Sequence, residues 1–147
     1  MIISLGSDEQ TELTSALVEA LRRRGHELIL RGALSGADTP WPSVGRAVGN
    51  DVVRGEAETG IVCCWTGTGV SIAANKIPGV RAALCADAQT ASGARKWNDA
   101  NVLALSNRAT SIPVALEILD AWLSTEPSSD PSDREAIADV ENVGAVP

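Results

Sequence analysis

The sequence predicts a three-layer α/β domain: a doubly wound, five-stranded parallel sheet with helices on both faces. Three observations predict it. Short apolar runs recur at residues 2–7, 26–30, 60–65, 80–85 and 101–106. Helical stretches separate them. The runs are largely continuous rather than alternating, the pattern of strands buried on both faces. Five β-α units in a row imply parallel pairing, and right-handed crossovers then place helices above and below the sheet.

IISLGS at 2–7 opens the chain as the first strand. Residues 11–24 follow as a helix with Leu13, Leu17, Val18 and Leu21 on one face, and Gly25 stops it. HELIL at 26–30 is the second strand, and 32–42 is a loop rich in Gly, Ser, Asp and Pro. A second helix covers 44–55. GIVCCW at 60–65 is the third strand, TGTG at 66–69 a tight turn, and 70–76 a third helix. VRAALC at 80–85, a helix at 87–97, NVLALS at 101–106 and a helix at 113–123 complete the Rossmann-like pattern. The composition then changes. STEPSSDPSD at 124–133 is a polar connector, and 134–143 has the pattern of a short acidic helix with few apolar positions. The expected division is therefore a domain over 1–125 and an acidic tail or docking helix over 126–147. Ligands of doubly wound sheets bind at the carboxyl ends of the strands. That points to residues 7–8, 64–69, 85–87 and 106–108.

Composition narrows the function. A chain of 147 residues, 44% hydrophobic, can bury a core and is not disordered. A net charge of −7 and the absence of Phe and Tyr argue against a nucleic-acid partner, which needs a basic face and, for single strands, stacking platforms. No apolar run reaches the roughly 18 residues of a membrane helix, and MIISLGSDEQ lacks the basic start of a signal peptide. The expectation is a soluble, cytoplasmic protein with no membrane partner. Cys63, Cys64 and Cys85 fit a reduced compartment and lack zinc-site spacing, and His26 is the single histidine. Neither a metal nor a cofactor is expected.

The richest local pattern is CCWTGTGVSIAANK at 63–76. A strand runs into a Gly-rich turn and then a helix. Backbone N–H groups of Gly67, Thr68, Gly69 and Val70, with Ser71 next in line, would converge at the positive end of that helix, where phosphate, carboxylate or an enediolate oxygen can bind. The same glycines also suit plain strand–helix packing. Cys64 ends the strand beside this turn. A buried cysteine is ordinarily inert, but a helix N-terminus favours the thiolate over a thiol of pKa about 8.5. Cys63 points to the opposite face and belongs to the core, as does Cys85. His26, at the start of a strand, reads as structural. Asn75 and Lys76 read as supports of the turn.

The run TGTGVSIAANKIPGVRAALCAD, together with GSD at 6–8, NDANVLAL at 98–105 and DAWL at 120–123, resembles the ribose-5-phosphate isomerase B and galactose-6-phosphate isomerase family. The four motifs come in order and span residues 1 to about 125. The resemblance implies aldose–ketose isomerisation through a cis-enediolate, without a cofactor. A base moves a proton between C1 and C2, and the turn holds the oxyanion. It implies that Cys64 is the base, that Thr66 assists ring opening, and that Asp8 and Asn98 hold sugar hydroxyls. It also implies a homodimer or tetramer in which the segment around Asn98 reaches the neighbour's site.

The chain departs from that family pattern in one direction. The family reads SDHAG where this chain has SDEQT, so Glu9 replaces a phosphate-facing histidine. It reads HND where this chain has WND, so Trp97 replaces the ring-opening histidine. Trp65 replaces a glycine, Gln89 a tyrosine, and Pro131 and Glu135 fall where arginines clamp phosphate, with Arg134 out of register. Phosphate recognition relies on cations and N–H donors. The departures therefore suggest a substrate other than an ordinary sugar 5- or 6-phosphate, with Trp65 and Trp97 offering apolar faces or else filling core or interface space. Arg81 and Arg108 are expected to pair with acidic neighbours, with Arg108 able to reach the ligand. Three alternatives stand beside this one: a sugar-binding protein or subunit of a hetero-oligomeric isomerase, an ordinary ribose-5-phosphate isomerase, and an enzyme turning the same enolisation to epimerisation.

Overall fold

A computed structural model, describing residues 1–142, has five parallel strands in the order β2-β1-β3-β5-β4. These are β1 (Ile2–Ser7), β2 (Glu27–Gly32), β3 (Thr59–Cys64), β4 (Ala82–Leu84) and β5 (Val102–Ser106). The helices are α1 (Glu12–Arg23), α2 (Trp41–Val53), α3 (Thr68–Asn75), α4 (Ala88–Asn98), α5 (Ile112–Ser124) and α6 (Pro131–Glu141). All four strand pairings are parallel, as continuous apolar strands require.

Two apolar layers sandwich the sheet. Ile3, Leu5, Ile61, Cys63, Leu103 and Leu105 face α1, α4 and α5 and meet Leu17, Leu21, Ile118, Leu119 and Trp122. Val62, Cys64, Val102 and Ala104 face α2 and α3 and meet Val48, Val70 and Ala74. Alternation along β3 thus sends Cys63 and Cys64 to opposite layers. Trp122, from the DAWL motif, is buried in the first layer and donates its indole N–H to Thr59 Oγ1 at 3.0 Å. Beneath α2, Asp51 accepts from Ser4 Oγ at 2.6 Å and from Arg31 Nε and Nη2 at 2.8 and 2.6 Å.

Several boundaries differ from the sequence expectation. The second helix starts at Trp41 rather than 44, with Pro40 as its N-cap and Pro42 in its first turn. Proline is suited to a first turn because its missing N–H has no partner there anyway. β4 is three residues long rather than six. Asn75 completes that short edge strand, donating to the Ala82 carbonyl at 2.9 Å and accepting from the Ala82 N–H at 2.7 Å. It supports β4 and not the Gly-rich turn. The last helix begins at Pro131 rather than 134, capped by Asp130. It packs on α4, and Glu141 pairs with Arg81. Residues 143–147 of the expected tail lie outside the described residues.

Candidate active site

The carboxyl edge of the sheet gathers most of the candidate residues. Ser7 of β1 lies beside Cys63 of β3, and Cys64 lies beside Ser106 of β5. Beyond the strands, the loop after β5 clamps the turn after β3. Asn107 N–H donates to the Cys64 carbonyl at 2.9 Å, Arg108 N–H to the Trp65 carbonyl at 3.0 Å, and Ser106 Oγ to the same carbonyl at 2.9 Å. Gly67 then reverses the chain with φ +76°. A Cβ there would stand 2.6 Å from Leu84 and 2.8 Å from the Leu105 carbonyl, so glycine is required twice over.

Gly67 is also the N-cap of α3, and no side chain caps that helix. The first-turn N–H groups of Thr68, Gly69 and Val70 have no intrahelical acceptor and face the positive end of the dipole. Thr66 and Thr68 share a hydroxyl–hydroxyl hydrogen bond of 2.7 Å over the turn. Cys64 lies at the rim of this concavity, only 5% exposed. Its neighbour Cys63 is wholly buried, and that burial pushes its thiol up to about 12. Burial likewise raises Cys85 to about 11. Cys64 is the cysteine that borders the Gly-rich turn, its carbonyl accepting from Gly67 N–H at 3.2 Å.

The β1–α1 turn supplies Asp8 and the exposed Glu9. With Gln10, Ala33, Gly36, Ala37 and Asp38 they line a groove of about 470 Å³. None of these lining residues is cationic. Asp8 Oδ1 is buried without a donor. Arg108 is exposed and, contrary to expectation, makes no ion pair among the described residues. Arg81 does pair, with Asp99 and Glu141.

Residues 3–139 match the ribose/galactose isomerase family. The chain belongs to that family. It is 34% identical to the galactose-6-phosphate isomerase subunit LacB of Clostridium acetobutylicum, over 97% of this chain and 83% of that protein. It is 40% identical to ribose-5-phosphate isomerase B of Escherichia coli K12, over 78% of this chain and 76% of that protein. Among solved structures, ribose-5-phosphate isomerase B of Clostridium thermocellum superposes with a TM-score of 0.91 at 36% identity, covering 98% of this chain and 97% of that one. Membership of the ribose/galactose isomerase family makes the chain an intramolecular oxidoreductase of the aldose–ketose class.

Against that family background, the fold brings together Asp8, Glu9, Cys64, Trp65, Thr66, Gly67, Thr68, Gly69, Val70, Ser71 and Arg108 at one edge. Trp97 and Asn98 stand apart. They end α4, four to five residues before β5 begins, at the opposite edge of the sheet from Ser106. The length of β5 alone, five residues at about 3.3 Å each, separates the two edges. Trp65 and Trp97 are 59% and 55% exposed, so neither fills the core of this chain.

Two residues carry no role in the sequence reading, although one of them, Asn107, falls within the strand-end region 106–108. Trp41 opens α2 and lays its ring on Gly69, where a Cβ would come within 2.9 Å. It is 42% exposed, giving the turn an aromatic wall. The signal was present in Pro40-Trp41-Pro42, a helix start rather than a loop end. Asn107 is the other, placed over the end of β3 by its backbone bond to Cys64. No local pattern marks it.

Proposed function

We propose that this chain interconverts aldose and ketose forms of a sugar through a cis-enediolate, with Cys64 as proton-transfer base and a weakened phosphate site. The observation that carries the reading is Cys64 at the carboxyl edge beside uncapped amides of α3. The Cys64 thiolate takes the proton from C2 of the open aldose. The C–H electron pair becomes the C1–C2 double bond, and charge moves onto O1, where the amides of Thr68, Gly69 and Val70 stabilise it. The thiol then returns the proton to C1, O2 becomes the carbonyl, and the O2 proton passes to O1. Thr66 assists ring opening, and Asp8 holds sugar hydroxyls.

The groove beside Asp8 carries Glu9 and Asp38 and no cation. A phosphate dianion there would meet like charge in a partly desolvated space, which raises its binding cost. Neutral sugars suit this wall and the faces of Trp41 and Trp65. The second reading, ordinary ribose-5-phosphate isomerase activity, is favoured by Arg108, which is free of ion pairs among the described residues. Comparing kcat/KM for D-ribose and D-ribose 5-phosphate separates the two. The expected result is preference for D-ribose, moved toward the phosphate by Glu9→His by about tenfold, the scale of one charged hydrogen bond. A tenfold wild-type preference for the phosphate supports the second reading instead.

The working unit under this reading is a homodimer or a dimer of dimers. Trp97 and Asn98 sit too far from Cys64 in their own chain to share its substrate, so a second copy would present them. The acidic helix α6, packed on α4, is a candidate contributor to that contact.

A further inference from the structure

We propose that Thr68 is a further catalytic residue: its hydroxyl and that of Thr66, 2.7 Å apart over the Gly-rich turn, form a proton relay that opens the ring of a cyclic sugar. The inference rests on the isomerase reading for its substrate and adds to it a step for ring opening. A sugar exists mostly as a closed hemiacetal, and C2 gives its proton to Cys64 only once C1 is a carbonyl.

Opening a hemiacetal needs an acceptor for the O1 proton and a donor to the ring oxygen, both at one carbon. Histidine is the usual side chain for such transfers. The single histidine of this chain, His26, precedes β2 at the amino edge of the sheet, and a second copy would bring only the same residue. The carboxyl edge holds two hydroxyls in contact instead. Each threonine has one O–H and two lone pairs. When one hydroxyl donates to the other, the donor keeps free lone pairs and the acceptor keeps a free proton. The pair thus offers one acceptor and one donor on adjacent oxygens, as a hemiacetal requires. Both residues are exposed, and neither hydroxyl has another partner among the described residues.

The backbone fixes the pair. Gly67, between the two threonines, donates to the Cys64 carbonyl at 3.2 Å and has no room for a side chain. The Trp65 carbonyl just before Thr66 is held by Arg108 N–H and Ser106 Oγ, and Thr68 is the first residue of α3. A pair oriented in this way meets the entropy of arrangement before the sugar arrives. With O1 over the amides of α3, as in the proposed reaction, O1 passes its proton to Thr68 Oγ1. Thr68 passes its own proton to Thr66 Oγ1, and Thr66 passes its own to the ring oxygen. The bond between C1 and the ring oxygen breaks with its electrons on that oxygen, and the O1–H pair becomes the second C1–O1 bond. Three protons move, neither threonine is left charged, and the hydrogen bond between them ends reversed. The positive end of α3 favours departure of the O1 proton.

The test is anomer interchange, which needs ring opening and breaks no C–H bond. Magnetisation-transfer NMR on D-ribose and D-ribose 5-phosphate, labelled with carbon-13 at C1, measures it on the whole chain. The wild type should accelerate interchange of at least one sugar over buffer. Thr68→Val and Thr66→Val should each lower that acceleration by about 10²-fold, the low end for positioned proton transfer. The double variant should lose no more than either alone, and Thr68→Ser, which keeps the hydroxyl, should retain most of the rate. Absence of wild-type acceleration, an unchanged rate in Thr68→Val, multiplying losses in the double variant, or loss in Thr68→Ser would each overturn the relay. Ketose formation is followed separately. Interchange without ketose sinks the isomerase reading and leaves the relay standing, whereas ketose without accelerated interchange sinks the relay alone.

Discussion

The two layers on either side of the sheet are built differently. The layer under α1, α4 and α5 takes its bulk from Leu, Ile and one Trp, with alanines of the helices between them, and encloses Cys63 without leaving it any exposure. The layer under α2 and α3 is made of Val, Ala and Cys64. Small side chains there bring α3 close to the strands, and a short Gly-rich turn delivers its N-terminus to the edge of β3. Bulk on one face stabilises the domain, and small size on the other places a helix end and a thiol together. Adjacent cysteines thus acquire opposite fates from the two-residue period of one strand.

The largest expected effect breaks that contrast at its centre. Cys64→Ala should lower proton exchange at the substrate C2 by about 10²–10⁴-fold, the usual contribution of a general base, with ligand binding retained. Cys63→Ala should leave exchange close to wild type, because its thiol is buried and pushed up to about 12. Exchange followed by proton NMR in deuterated water measures both. Equal losses in the two variants would remove the distinction between the layers.

The bulky layer is tested by Trp122→Ala. Loss of the ring and of its bond to Thr59 should cost about 3–5 kcal/mol in urea denaturation. The folded fraction should keep its exchange activity, since Trp122 lies on the face away from the turn. A smaller effect, from the same side as the site, concerns acid. Burial alone would push the Asp51 carboxyl up, but hydrogen bonds from Arg31 and Ser4 outweigh it and hold Asp51 below its ordinary value. A carboxyl lowered in the folded state contributes stability above its unfolded value, and that contribution is lost as pH falls through the folded one. Wild-type Tm should therefore fall steeply below about pH 4. Asp51→Asn should lower Tm at neutral pH, by about 1.5–3 kcal/mol in stability, and flatten the acid limb. An acid limb unchanged by the substitution would assign it to other carboxyls.

The strand pattern was legible because parallel strands buried on both faces leave continuous apolar runs, and the turn because glycine is nearly obligatory where φ is positive. Cys64, Thr66 and the turn residues could be placed for that reason. Helix starts were less legible: Pro42 looked like a loop residue and is part of a first turn. Asn75 looked like a support of the turn and completes an edge strand seven residues later. Such partnerships span chain distances that no local pattern encodes.

By itself the sequence determined the α/β class, the five strands, the family and the cysteine at the end of β3, because each is written in local periodicity, turn chemistry or a contiguous motif. Tertiary structure alone decided which residues meet. It separated Trp97 and Asn98 from Cys64 by the length of a strand, laid Trp41 on Gly69, left Arg108 without an ion pair among the described residues, and carried Asn107 across β3 to Ser7. Those outcomes follow from strand order and helix direction, which place residues a hundred positions apart within hydrogen-bonding distance and drive near neighbours to opposite edges of the sheet.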